Sequence, residues 1–459
     1  MAGTQSAKTA TEAIQPKRKL KLAKEVFVLP HEERFLVYAP LSRRLSIINE
    51  AHLRQLKNFV LTPENISKET ENSLEEIGLL VEQEIRPSEE YTPFFPTQLT
   101  LFPTSNCQLR CIYCYGNGGD TKNDLILSTA RAGIDLVVEN ALKSNQRNPF
   151  LWYHGGGEPT FRWKFLTETA EYFIEKATMN NLKPNISLST NGMLNLKQVD
   201  WIIQNLRRVQ LSIDGPEDIQ NRQRPLENGQ GSFGLVYKTA KRFSEKGYPF
   251  DIRTTITDDS VNRLKEIYEF FQREFKPRTI NFEPLYECGR CHTSKSKEPD
   301  YQEYVANFIG LIKSIPPEKR DLVATSASGN LKGIKTAFCG AAGKNFCITP
   351  EGYISSCYEV SLKSDPRSEI FFYGKFDPDI GQFIIDEEKR RHLFERQTAN
   401  LHGCQDCFTK WNCGGDCLVK TGSSNIYETN RPFDKGHKRC ALNRLMAQSL
   451  LIEKINGGL

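Results

Sequence analysis

The stretch Gln98-Leu99-Thr100-Leu101-Phe102 reads as a short strand. The chain then runs into Cys107-Gln108-Leu109-Arg110-Cys111-Ile112-Tyr113-Cys114-Tyr115. The three cysteines are spaced Cys107-x3-Cys111-x2-Cys114. A cubane iron–sulfur cluster has four irons, so three thiolates leave one iron without a protein ligand. Such an iron can bind a small molecule and hand it an electron. A zinc knuckle, or a set of buried thiols, is the competing reading of the same spacing.

Working outward, residues 96 to 290 alternate between strand-like and helix-like segments. The expected strands are 98–102, 148–153, 185–190, 208–213, 250–256 and 279–284. The expected helices are near 127–143, 163–180, 196–205, 232–246 and 260–275, with another near 299–314. This alternation argues for α/β architecture with parallel strands and right-handed crossovers. In parallel barrels the chemistry sits at the C-terminal ends of the strands. The polar and glycine-rich motifs fall at those ends. The second strand runs into His154-Gly155-Gly156-Gly157-Glu158-Pro159, and glycines let backbone approach a ligand closely. The third ends in Ser187-Leu188-Ser189-Thr190-Asn191-Gly192 and the fourth in Ser212-Ile213-Asp214-Gly215-Pro216. Their hydroxyl and amide groups suit ribose hydroxyls or a carboxylate, and turn capping is the plainer use of Ser189 and Ser212. His154 reads as packed at the barrel mouth.

The cysteine spacing, with Tyr113 before the third cysteine, resembles the signature of the radical S-adenosylmethionine (SAM) enzymes. The resemblance implies a partial (β/α)6 barrel over residues 96–334. It also implies a [4Fe–4S] cluster on Cys107, Cys111 and Cys114 whose open iron chelates SAM. Electron transfer then yields a 5′-deoxyadenosyl radical that abstracts hydrogen. By the same resemblance, Gly156, Gly157, Glu158 and Pro159 form the Gly-Gly-Glu-Pro motif that takes the SAM amino group. Ser189, Asn191 and Ser212 match the Thr-Asn-Gly and Ser-x-Asp-Gly-Pro segments. Arg224, ten residues after Asp214, resembles an arginine that pairs with the SAM carboxylate in sulfatase-maturase relatives. A guanidinium fork suits a carboxylate, and Arg222 leaves the register open by two residues.

Cysteines are dense again from residue 335 on, where hydrophobic periodicity fades and a staple is expected. Cys404-x2-Cys407-x5-Cys413-x3-Cys417 is followed by Cys440, and Cys339 precedes Gly352-x4-Cys357. Zinc is the alternative for such pairs. The pattern resembles SPASM domains, which hold two auxiliary [4Fe–4S] clusters. The resemblance places Cys404, Cys407, Cys413 and Cys440 on one, and Cys339, Cys357 and Cys417 on the other. Cys347 lies where sulfatase maturases keep an eighth cysteine, so both clusters are expected to be fully ligated. Three plus eight uses eleven of the thirteen cysteines. The remaining two, Cys288 and Cys291, read as ordinary thiols.

The formal net charge of +5 over 459 residues, with basic and acidic residues interleaved, makes no case for nucleic acid. No apolar run is long enough to span a membrane, and no secretory signal is seen. The tail 1–21 reads as disordered, with an organelle transit peptide the less favoured alternative. Clustered cysteines beside a cofactor motif point to metal ligation in a reducing cytoplasm rather than to disulfides. Residues 22–95 are expected to form a small α+β region. Its strands are expected over 26–29, 35–38 and 45–48, with a helix over Glu50 to Val60 capped by Asn49 and a second from Ser67. It resembles the winged-helix peptide-recognition domain of ribosomal-peptide maturases; a plain N-terminal extension is the alternative.

The substrate is the open point. Sulfatase maturases carry a catalytic Asp directly after the cysteine of Gly-x4-Cys, whereas here Tyr358 and then Glu359 follow Cys357. The expected function is therefore maturation of a ribosomally made peptide by an oxidative thioether, C–C or ether crosslink. The expected partners are a precursor peptide, its leader held by the N-terminal region, and an electron donor such as flavodoxin or ferredoxin. The alternatives are formylglycine formation on sulfatases, modification of a small molecule, and a non-catalytic iron–sulfur scaffold.

Overall fold

The computed structural model describes residues 21–61, 67–81, 87–287, 289–294, 296–327, 331, 333–420 and 437–457. Residues 1–20 of the tail expected to be disordered, and Cys288, lie outside the described residues, whereas Lys21 begins a strand. The chain divides into two units, Met1–Arg86 and Pro87–Leu459.

In the first unit, β1 (Lys21–Leu22) is followed by β2 (Phe27–His31), β3 (Arg34–Ala39) and β4 (Arg44–Ile48), then α1 (Glu50–Leu61), α2 (Lys68–Glu76) and β5 (Leu80–Val81). Strands β2, β3 and β4 form an antiparallel sheet, and β1 pairs with β5. Asn49 and Ser67 cap the two helices, accepting from the backbone N–H of His52 (3.0 Å) and Thr70 (3.1 Å). Residues 36–39 of β3 are all buried, and Val37 and Ala39 on one face join Leu53 and Leu56 of α1 and Leu74 of α2 in one cluster.

The second unit begins before the expected boundary at 95/96. Residues 87–95 pack on its own elements: Glu89 N–H donates to Gln397 (2.9 Å) and Phe94 N–H to Glu387 (2.9 Å). Its elements alternate as the sequence leads one to expect. They are β6 (Gln98–Leu101), α3 (Leu127–Lys143), β7 (Phe150–Tyr153), α4 (Trp163–Met179), β8 (Asn185–Thr190), α5 (Leu196–Asn205) and β9 (Arg208–Ser212). After α6 (Glu217–Gln223) and α7 (Phe233–Glu245) come β10 (Phe250–Ile256), α8 (Leu264–Glu274), β11 (Thr279–Pro284), α9 (Tyr301–Ser314) and β12 (Val323–Ala324). Strands β6 to β12 are parallel neighbours in chain order. The strand-turn helix α6 and the two-residue β12 are too short to leave a periodic signal, and were not expected.

The larger departure lies beyond residue 335. That region is not poorly patterned but continues the sheet. Strand β13 (Cys347–Ile348) pairs parallel with β6, and β14 (Tyr353–Ser355) turns back antiparallel. After α10 (Ser368–Phe371), β15 (Phe372–Asp377) and β16 (Gln382–Ile385) complete a sheet of eleven strands among the described residues. Helices α11 (Glu387–Phe394), α12 (Lys410–Cys413) and α13 (Lys438–Ile455) follow, and α13 packs on α9. Ile348, Ile354, Phe372, Leu442 and Met446 belong to the same hydrophobic core as the parallel strands. Gly133 of α3 allows the join, since a Cβ there would stand 2.5 Å from Ile348 Cδ1.

The closed end of the parallel strands is held by a buried carboxylate. Asp251 of β10 accepts from Arg208 Nε (2.6 Å), Arg278 Nε (2.9 Å) and Thr279 Oγ1 (2.7 Å). Burial pushes this carboxyl up, but Arg278, Thr279 and Arg208 outweigh it and hold it below the usual range. A depressed carboxyl stabilises the fold above the unfolded pKa and ceases to as pH falls through the folded one. Asp251→Leu is expected to cost about 1–3 kcal/mol, because the charged hydrogen bonds are lost while the two half-exposed guanidinium groups turn to solvent. Urea unfolding at pH 7 measures this, and the gap between variant and wild type should narrow as pH falls below about 4.

Candidate functional site

The cysteine segment leaves β6 and folds over the C-terminal ends of the parallel strands. Its backbone is stitched to the end of α6 and the segment after it, with Ile112 N–H donating to Gln223 O (3.0 Å) and Arg110 N–H to Pro225 O (2.8 Å). Arg290 reaches in from the far side, donating to the carbonyls of Cys111 (3.2 Å) and Gly118 (3.1 Å). Backbone N–H groups point at the sulfurs: Leu109 at Cys107 (3.4 Å) and Gly118 at Cys114 (3.3 Å). Asn191 Nδ2 lies 3.6 Å from Cys107 Sγ. Burial, reinforced by the neighbouring thiols, pushes Cys107 up to about 12.

The glycine turn after β7 meets this segment backbone to backbone. A Cβ on Gly116 would stand 2.8 Å from Gly156 Cα, and one on Gly118 would stand 2.7 Å from Gly156 O. Glu158 N–H donates to Asn106 O (2.8 Å). The buried Glu158 carboxylate takes four donors: Thr160 N–H (3.1 Å), Thr160 Oγ1 (2.7 Å), Thr190 Oγ1 (2.8 Å) and Asn191 N–H (2.7 Å). Expected as a ligand contact, Glu158 is placed as a clamp between the ends of β7 and β8. Burial raises its carboxyl against these hydrogen bonds.

A second lock sits at the end of β9. Tyr113 donates to Asp214, which also accepts from Gln223 Nε2 (2.8 Å) and Thr255 N–H (3.1 Å). Arg224 Nη1 donates to Tyr113 Oη (2.8 Å), while its buried Nε has no hydrogen-bond partner. Arg222 is exposed and lies 3.6 Å from Asp259, so Arg224 is the arginine that faces inward.

These groups surround a cavity of about 400 Å³, lined also by Pro159, Ser189, Ser212 and Arg253. One wall is aromatic. The rings of Trp152, His154 and Tyr358 lie 5.1–5.5 Å apart between centroids. Trp152 Nε1 donates to Ser189 (3.2 Å), and Tyr358 donates to Asn345 Oδ1 (3.3 Å). His154 Nδ1 accepts from Gly155 N–H (2.7 Å), which puts the ring proton on Nε2. Burial first, then Arg253, pushes His154 down to about 3, so the ring is neutral.

The later cysteines form two groups. Cys339, Cys357 and Cys417 lie within electrostatic reach of one another and of Glu359, one of whose carboxylate oxygens is buried without a hydrogen bond. Lys420 Nζ is 3.9 Å from that carboxylate. Cys347 is buried beside Cys339, and it faces Thr100 of β6 in register. Cys404, Cys407, Cys413 and Cys440 form the other group, where burial and then the neighbouring thiols push Cys404 up to about 12. A buried pair ties the groups together. Asp416, beside Cys417, accepts from Arg439 Nε (2.9 Å) and Nη2 (2.8 Å), and Arg439 precedes Cys440. Cys291 is buried on the short turn after β11. Sequence reading missed Arg253, the Asp214 lock and the Asp416–Arg439 pair. Period-two placement of Asp251, Arg253 and Thr255 on β10 was the signal available for the first.

Residues 101–271 match the family model described as the Radical SAM superfamily. The chain is 26% identical over 340 residues to a cysteine-type anaerobic sulfatase-maturating enzyme of Clostridium perfringens, spanning 70% of this chain and 89% of that protein. Native anSMEcpe with bound AdoMet and Kp18Cys peptide is similar in fold, with TM-score 0.60, 20% identity, and coverage of 78% of this chain and 99% of that one. Streptococcus suis SuiB bound to precursor peptide SuiA gives TM-score 0.50 and 16% identity, covering 90% of this chain and 100% of that one.

Two outcomes follow from the geometry. Asp416→Ala leaves the Arg439 guanidinium buried without its partner and should cost about 3–5 kcal/mol in denaturant unfolding. His154 has a folded pKa below the unfolded value of about 6.5, so the unfolded chain binds the proton first. Its stabilisation is complete above about pH 7 and is lost as pH falls from 6.5 towards 3, by up to about 1.4 kcal/mol per pH unit. The stability difference between pH 7.5 and pH 5 should therefore be smaller in His154→Gln than in wild type.

Proposed function

Since residues 101–271 form a radical SAM domain and the chain is a radical SAM enzyme, we propose that it matures a ribosomally made peptide by an oxidative crosslink. In this reading Cys107, Cys111 and Cys114 hold a [4Fe–4S] cluster that, with SAM bound, supplies a 5′-deoxyadenosyl radical. The residues fit that group. Backbone N–H donors already face two of the three sulfurs, and the buried Arg224 Nε lacks an acceptor that a carboxylate would provide. Among the described residues no three His, Cys, Asp or Glu side chains converge closely enough for a single metal ion. A polynuclear cluster spreads its thiolates over separate irons, so the wider spacing suits it better than zinc.

Arg224 would orient the SAM carboxylate, with Asn191, Ser189 and Ser212 on the facing strand ends. Gly156 and Gly157 bring backbone to the amino group, and Glu158 and Pro159 fix the turn. We assign residues 335–459 to a SPASM-type region with two auxiliary [4Fe–4S] clusters. Cys404, Cys407, Cys413 and Cys440 would ligate one. Cys339, Cys357 and Cys417 would ligate the other, with Cys347 completing it. Full ligation suits electron transfer, fed by a flavodoxin or ferredoxin in a reducing cytoplasm. No helix among the described residues is long and apolar enough to cross a membrane.

Tyr358 carries the choice of substrate class. It stands where sulfatase maturases place an Asp, and its hydroxyl already donates to Asn345 while its ring packs on His154. Burial pushes its phenol above the ordinary range, which disfavours service as a base. The similarity to SuiB extends over 90% of the chain, against 78% for anSMEcpe, which supports a peptide-binding role for the first unit. Formylglycine formation is the second reading, favoured by the sequence likeness to the Clostridium perfringens enzyme.

One experiment separates these readings, and a second tests the SAM site that both share. Small peptides encoded beside the gene are co-expressed with the enzyme under low oxygen and weighed intact. Loss of two hydrogens per modification, abolished by Cys107→Ala, is the expected result. Unchanged peptides, with formylglycine appearing in a sulfatase-derived peptide, would favour the second reading. In the reconstituted enzyme, Arg224→Gln should weaken SAM binding about 10–100-fold by equilibrium dialysis, and Arg222→Gln by less than about 2-fold.

A further inference from the structure

We propose that Arg253 anchors a carboxylate of the substrate inside the barrel; this deepens the peptide-maturase reading and rests on it. Strand β10 is central, with β9 and β11 as parallel neighbours. Its inward-facing positions are Asp251, Arg253 and Thr255. Asp251 is consumed at the closed end by Arg208, Arg278 and Thr279. Thr255 N–H is consumed at the mouth by Asp214. Arg253 lies between them and lines the cavity. Its neighbours in register are Ser212 on β9 and Asn281 on β11, both uncharged.

Arg253 is exposed into this space, although it sits on an interior strand. Its carbonyl accepts from Ile213 N–H (3.2 Å), but among the described residues its guanidinium makes no hydrogen bond and no ion pair. The acids around the cavity are already engaged. Glu158 holds four donors, and Asp214 holds Tyr113 and Gln223. Glu283 accepts from Ser326 N–H (3.1 Å) and Ser326 Oγ (2.6 Å), and Glu359 faces Lys420. The other arginines nearby are engaged too, Arg224 with Tyr113 and Arg290 with Asp120 (2.7 Å). A guanidinium without a counter-ion in a partly enclosed cavity is an incomplete pair, and a planar carboxylate completes it through two parallel hydrogen bonds.

Arg253 is a second guanidinium, separate from the Arg224 assigned to the SAM carboxylate, although both line the same cavity. Arg224 stands against Tyr113 in the cysteine segment, whereas Arg253 is close enough to His154 to lower its pKa. A carboxylate on Arg253 would therefore lie along the aromatic wall of Trp152, His154 and Tyr358. Two parts of a peptide carry this chemistry, an Asp or Glu side chain and the C-terminal carboxylate.

The test uses the reconstituted full-length enzyme with SAM and four pools of acetylated hexapeptides. The central residue is Glu or Gln, and the C-terminus is free or amidated. Binding is read by competition against a fluorescein-labelled member of the Glu pool. Wild type should prefer carboxylate-bearing peptides at least 10-fold, and Arg253→Gln should abolish that preference while SAM affinity changes less than 2-fold. Arg253→Lys should restore part of it. Preference for Glu with an amidated end identifies the side chain as the source, and preference for the free end with Gln identifies the C-terminus. Equal binding of all pools to wild type overturns the anchor. So does a loss of SAM affinity in Arg253→Gln, which would move Arg253 to the cofactor. Failure of wild type to form 5′-deoxyadenosine from SAM, with the preference intact, overturns the maturase reading and leaves the anchor standing.

Discussion

The architecture of the site depends on one buried carboxylate. Glu158 gathers donors from its own turn and from the end of β8, and its backbone N–H closes on Asn106 of the cysteine segment. Three pieces of chain far apart in sequence are thereby held at one point. The contact between the glycine turn and the cysteine segment is made by backbone atoms, so no side chain can be added at Gly116 or Gly118 without moving one piece off the other. A buried carboxylate with four donors is stable where one with fewer would not be, and its cost if broken is correspondingly high.

The second organising fact is the continuation of the sheet. Strand β6 is not an edge, because β13 pairs with it and carries the hairpin from which Cys357 and Tyr358 emerge. The C-terminal region is therefore tied to the barrel by backbone hydrogen bonds and a shared core. That places Cys339, Cys357 and Cys417 on the wall of the cavity that Cys107, Cys111 and Cys114 also line. The proposed electron path from one to the other needs no rearrangement of the sheet.

Much of this was legible in the residues. Strands 185–190, 250–256 and 279–284 and helix 127–143 agree with the structure to the residue, because each joins apolar periodicity to a clear flanking turn. The inward position of Arg224 rather than Arg222 was not, since two residues on a short helical turn differ only in direction. The strands β13 and β14 hold two and three residues, too few for a period to register. The roles of Glu158 and Asp214 as locks required partners up to 101 residues away, such as Tyr113 for Asp214, which spacing along one strand cannot reveal. Arg253 shows the opposite case. Its charge on an inward position was visible, but only the engagement of every neighbouring acid gives it meaning.

The central claim is that Cys107, Cys111 and Cys114 hold a cluster with one open iron. Electron paramagnetic resonance of the reduced, reconstituted protein, with and without SAM and with its iron content determined on the same sample, tests it most directly. The account predicts about twelve irons per wild-type chain and about eight in a variant with all three cysteines changed to Ala. It further predicts a signal that SAM perturbs in wild type and leaves unchanged in the variant. Equal iron in the two proteins, or a wild-type signal indifferent to SAM, would contradict it.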